Sequence, residues 1–91
     1  KPEWWNDEGL KALSARVLRA APNEQTANFM RANVLCGGGG AWEAGPRSGA
    51  EFKEAASHYD RSAALSPAPT VKAEKACIAG ICRSLAETSL M

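Results

Sequence analysis

Apolar residues recur every three or four positions along most of this chain, the period of helices that bury one face. Between Asn6 and Pro22, Leu10, Leu13, Val17 and Ala21, with Ser14 among them, form one stripe. This predicts a helix over 6–21. Asn6 is suited to the N-cap, Asp7 and Glu8 put negative charge in the first turn, and Pro22 ends the segment. A second helix is predicted over 24–36, with Asn23 as its cap. Its residues Ala27, Met30, Val34 and Phe29, Ala32, Cys36 lie on two adjacent stripes, so it should be covered on more than one side. The run Gly37–Gly40 stops it, since each glycine costs about 1 kcal/mol against alanine in a helix. Ser48 with Glu51 three residues later is a capping box that opens a third helix over 49–65. That helix places Phe52, Ala55, Ala56, Tyr59 and Ala63 inward and Lys53, Glu54, Ser57, Asp60 and Arg61 mostly outward. "SPAPT" breaks it, and a fourth helix follows over 69–87, with Val71, Ile78, Ile81, Cys82 and Leu85 inward. No stretch alternates cleanly, so the fold class is all-α: four antiparallel helices in one domain over 1–91, with a Gly-rich loop at 37–48.

Composition sharpens this picture. Hydrophobic residues make up 45% of the 91, and alanine is their main contributor. Each alanine removes little area from water, but a run of them lets helix axes approach closely. The formal net charge is +1, with 11 basic and 10 acidic residues interspersed. A nucleic-acid footprint needs a basic face, and none is present. No apolar run is long enough for a membrane span. The chain opens on Lys-Pro, as expected of a processed product or a fragment. The three cysteines, Cys36, Cys77 and Cys82, match no zinc or redox spacing. Cys77 and Cys82 fall roughly 140° apart on a helix and cannot pair as ligands. All three read as small buried hydrophobes, which favours a reducing intracellular compartment.

A repeat lies under the helices. In the third, Ala55, Tyr59, Ser62 and Pro67 stand four, three and five residues apart: small, aromatic, small, then a terminating proline. This resembles the second helix of a tetratricopeptide repeat. The same offsets back from Pro22 give Leu10, Ser14 and Val17. Ten residues beyond the two prolines stand Ala32 and Cys77, small residues at the close crossing of the next first-helix, and Leu35 follows Ala32 by three. Pro22 and Pro67 are 45 residues apart, against 34 in the family. The surplus falls between Ala32 and Ala55, in the Gly-rich loop, where added length costs little closure entropy. The resemblance covers about residues 8–85. It departs from the family six residues beyond each proline, where Asn28 and Ala73 replace a large aromatic. A generic four-helix bundle is the competing architecture.

The resemblance implies a protein-binding module or a scaffold subunit of a larger complex, holding peptides on its first-helices. Projected onto this chain, the groove-facing residues are Phe29, Met30 and Asn33 on the second helix and Val71, Glu74, Lys75 and Ile78 on the fourth. A branch of the family binds carboxylate tails through Lys and Asn, but Phe29 and Met30 stand where those residues would be needed. In the inserted loop, Trp42 and Arg47 are of the types enriched at interface hot spots. Trp4, Trp5 and Trp42 either pack on this domain or dock on a partner. No catalytic constellation, metal set or cofactor motif stands out. His58 has Glu54 four residues before it, the spacing of a solvated surface pair; Cys36 has no evident base; and "GGGG" lacks the Lys-Ser/Thr of a phosphate loop.

Overall fold

The computed structural model describes residues 3–37, 42–66 and 68–89, apart from the side chains of residues 71–73, 76, 88 and 89. It contains four helices: α1 (Asp7–Ala20), α2 (Gln25–Cys36), α3 (Gly49–Leu65) and α4 (Pro69–Ser89). No strand occurs among the described residues. The helix ends follow the local chemistry. Asn6 Oδ1 accepts from the Gly9 N–H at 2.8 Å. Ser48 Oγ accepts from Glu51 N–H at 3.1 Å while Glu51 Oε1 accepts from Ser48 N–H at 3.0 Å, so the capping box is complete. Gly37 closes α2 with φ +100°, a left-handed conformation that glycine adopts without penalty. Pro67, the terminator expected after α3, and residues 38–41 of the Gly-rich loop lie outside the described residues.

One cap differs from expectation. Glu24, not Asn23, opens α2, accepting from Ala27 N–H at 2.7 Å. Asn23 instead accepts from Arg61 Nη2, and Arg61 Nε also donates to the Pro22 carbonyl at 3.1 Å. The turn after α1 is therefore fastened to α3, and the carboxylate one residue on takes the capping role.

The helices pack in chain order, α1 on α2, α2 on α3 and α3 on α4, the last pair most extensively. An α1–α4 interface, which would close a bundle, is not among the substantial ones. The core runs through the middle of this series: Ala32 and Leu35 of α2, Ala55, Ala56 and Tyr59 of α3, and Ala79 and Cys82 of α4 are buried in one cluster. Alanines at the crossings bring the helices close, and Tyr59 fills the space beside them. Its ring meets Phe29 edge-on, with centroids 5.8 Å apart, and its hydroxyl donates to Asn33 Oδ1 at 2.5 Å.

Buried polar groups are mostly paired, as they must be. Asn28, fully buried where the repeat family prefers an aromatic, donates to the Pro22 and Glu24 carbonyls at 3.1 and 2.9 Å. Its Oδ1 faces His58 Nδ1 at 3.1 Å. Arg31 crosses α2 to join its neighbours, donating to the Lys11 carbonyl at 2.9 Å, to Ser14 Oγ at 3.1 Å and to Glu54 at 3.3 Å.

The face that α4 turns inward corrects the sequence reading in part: Cys82 is buried and Ile78 packs against the core as expected, but Ile81 and Leu85 do not. Lys75, Ala79, Cys82 and Ala86 are buried, while Ile81 is 57% exposed and Leu85 41% exposed. Packing in one cluster with Ala55 and Ala56 of α3 selects small residues for the contact and turns the bulkier ones outward. The cysteines divide in the same way: Cys82 is buried, Cys36 intermediate and Cys77 exposed, so the expectation of three buried thiols fails at Cys77. Burial pushes the Cys82 thiol up to about 11, which leaves it almost wholly protonated and unreactive at neutral pH.

If the alanine crossing sets the interhelix distance, Ala55→Leu must force α2 and α4 away from α3. We expect a loss of about 1–3 kcal/mol in urea unfolding, against little change for Ala64→Leu on the exposed side of the same helix. Equal stability of the two variants would contradict this packing.

Candidate functional site

Residues that the sequence places far apart converge on a groove between α1 and α2. Leu10 and Leu13 come from α1; Thr26, Phe29, Met30, Asn33 and Val34 come from α2. Trp4, Trp5 and Trp42 complete the wall of a cavity of about 330 Å³. The lining is overwhelmingly apolar. Of the nine predicted contact residues, Phe29, Met30, Asn33 and Trp42 meet here. Trp4 and Trp5 reach the site because the segment before α1 folds down across its first turn. The Trp4 carbonyl accepts from Asn6 N–H at 2.8 Å. A Cβ on Gly9 would lie 2.1 Å from that carbonyl oxygen, so only glycine admits this approach. The two indoles are tilted, with centroids 5.8 Å apart.

Trp42 belongs to the groove because the loop before α3 is tied to the start of α1. Its Nε1–H donates to Asp7 Oδ1 at 3.0 Å. Arg47 grips the same carboxylate with two nitrogens, at 2.8 and 2.5 Å. It also donates to the Leu35 and Val34 carbonyls at 3.0 and 2.9 Å. These are among the last carbonyls of α2, which the helix cannot satisfy internally. The Arg47 side chain is only 4% exposed. Its expected place on a docking surface is therefore corrected: Arg47 is a bracket joining the loop, α1 and α2, its planar fork matched to a carboxylate. The Arg47 guanidinium holds the Asp7 carboxyl well below the usual carboxylate range, helped by the hydrogen bonds from Trp42 and Gly45. Lys11, 2.7 Å from Glu51, lowers that carboxyl as well, together with the Ser48 N–H.

Lys75 is the second correction. The groove reading asks for an accessible amine, yet Lys75 is 8% exposed. Its Nζ donates to Ser62 Oγ at 3.0 Å and sits 4.6 Å from the centroid of the Phe29 ring, a cation–π contact. The sequence missed this because α4 turns its small-residue stripe inward, and Lys75 lies on that stripe. The side chain of Val71 lies outside the described residues. Glu74 is exposed and Ile78 half-buried.

His58 Nε2 lies 3.2 Å from Glu54 Oε2, so the predicted pair forms. It is less solvated than expected, because the other ring nitrogen meets buried Asn28. Neither His58 nor Cys36 lines the groove. Among the described residues no cluster of His, Cys, Asp and Glu could hold a metal, and no helix is long and apolar enough to cross a membrane. No family model matches the chain, and no curated protein or solved structure matches it either.

The Asp7–Arg47 pair predicts an acid-sensitive fold. Because the native carboxyl titrates below its unfolded value, its contribution is complete above about pH 4 and is lost as pH falls toward the native pKa. Wild type should lose stability in that window and Asp7→Asn should show a flatter acid profile, followed by circular dichroism. Arg47→Ala, which takes the guanidinium from Asp7 and from the Leu35 and Val34 carbonyls, should cost about 3–5 kcal/mol at neutral pH. An unchanged acid profile in Asp7→Asn would refute the assignment.

Proposed function

We propose that this chain is a non-enzymatic protein-interaction module or scaffold subunit of a larger complex, built as a tetratricopeptide-like helical stack that binds through the α1–α2 groove. The observation that carries the reading is the convergence of Trp4, Trp5, Phe29, Met30 and Trp42 around one apolar cavity. Aromatic and methionine side chains are the types enriched where proteins dock. The repeat-like architecture is supported by helices that pack in chain order, and by Ala32 and Ala55 buried together. The inserted loop lies between α2 and α3, where a helical pair takes up extra length. The loop then works as a groove wall, with Arg47 and Asp7 setting the position of Trp42.

A second reading, a structural element that stacks in an assembly without a groove, is favoured by the exposed Ile81 on α4. The two readings put the contact on different helices. Met30→Glu introduces a charge into the groove, and Ile81→Glu introduces one on α4. In pull-downs from the source cells, we expect the Ile81→Glu protein to retain the wild-type partners. Met30→Glu should lose them, at a cost of about 2 kcal/mol or more. The reverse pattern would favour the stacking element.

A further inference from the structure

The groove has a polarity that the repeat-like architecture does not supply. A second depression of about 350 Å³, lined by Trp4, Gly9, Leu13 and Arg16, shares Trp4 and Leu13 with the groove. Arg16 is exposed and makes no ion pair or hydrogen bond with any described residue. It is the one charged residue lining either depression, and no carboxylate lines them. The polar groups on the groove itself are biased the same way. Asn33 Oδ1 is taken by the Tyr59 hydroxyl, so the amide presents its N–H donors without a described acceptor. The Trp5 indole N–H is buried and has no partner. Behind the Phe29 ring stands the Lys75 ammonium, with no carboxylate among the described residues paired to it. N–H donors on the groove and the Arg16 guanidinium at the adjoining depression thus flank an apolar floor, and an acceptor-rich, negatively charged occupant complements them.

We propose that the groove receives an acidic, apolar segment of a partner protein, seating a bulky side chain among Phe29, Met30 and Trp42 while a neighbouring carboxylate pairs with Arg16. This rests on the groove reading above and adds the chemistry of the occupant. The apolar contact supplies most of the affinity. Arg16, exposed and unpaired in the free protein, selects the sign of charge and accelerates encounter.

Fluorescence polarisation with short labelled peptides tests this directly. Three peptides carry the same leucine and phenylalanine residues and differ in the intervening positions, which are Asp/Glu, Lys/Arg or Ser/Gln. We expect the acidic peptide to bind at least about tenfold more tightly than the basic one, since a like-charge placement costs about a kcal/mol or more. Arg16→Glu, at an exposed position that leaves the fold intact by circular dichroism, should abolish or invert that preference. Added salt should weaken the acidic peptide's binding, and Met30→Glu should weaken all three. Equal binding of the three peptides, or an acidic preference that survives Arg16→Glu, would overturn the charge assignment and leave the groove reading standing. If no peptide binds, the groove reading itself falls. Arg16-dependent sedimentation with phosphatidylglycerol vesicles in place of peptide binding would overturn both in favour of a membrane surface.

Discussion

The bidentate contact between Arg47 and Asp7 governs how the rest of this molecule is arranged. Three separate pieces of chain end at it: the first turn of α1, the last turn of α2 and the loop before α3. Each brings a backbone or side-chain demand that has to be met. The last carbonyls of α2 need donors, Asp7 at a helix N-terminus carries a charge that is largely shielded from water, and the Trp42 indole needs an acceptor. One guanidinium and one carboxylate answer all three needs. The arrangement places an arginine beside carbonyl oxygens at a helix C-terminus, and a carboxylate at a helix N-terminus, where both charges are favoured. The loop before α3 thereby acquires a fixed attachment at its far end, and its tryptophan becomes part of a wall.

Around that bracket, the helices are held by a thin core. Alanines at 32, 55, 56, 79 and 86 contribute little transfer energy one by one, but they allow close contact, in which dispersion over many atoms adds up. Tyr59 and Phe29 supply the larger surfaces. A thin core leaves bulky residues on the outside, and this is the physical source of both exposed apolar regions. Ile81 and Leu85 are displaced from α4's inner face by alanine and cysteine. Phe29, Met30 and the tryptophans line a groove because α1 and α2 make a slighter interface than α3 and α4 do.

What could be read from the sequence was what is encoded locally. Asn6, the Ser48–Glu51 box and Gly37 each act within one turn, and α1 and α3 begin and α2 ends where these signals put them. The inward face of α3 was legible because its small and aromatic residues share one stripe. The face of α4 was legible in part: Cys82 is buried and Ile78 packs against the core as their stripe predicts, but hydrophobicity also points to Ile81 and Leu85, where the packed face takes Ala79 and Ala86 instead. Phe29, Met30, Asn33 and Trp42 were legible as surface candidates from residue type and position. Arg47 and Lys75 were misplaced because their partners are remote in sequence. Asp7 is forty residues from Arg47, and no local pattern announces that contact. The buried asparagine at position 28 was visible as a departure from the repeat pattern, but its three hydrogen-bond partners emerged only from the fold.

The central claim is that the Arg47–Asp7 bracket holds Trp42 in the groove wall. Hydrogen exchange of the Trp42 indole N–H, measured by NMR in wild type and in Arg47→Met alongside the Met30 methyl resonance, tests it most directly. The indole proton should exchange slowly in wild type and rapidly in the variant, with a shifted Met30 methyl. An indole proton equally protected in both proteins, with the Met30 methyl unmoved, would contradict it.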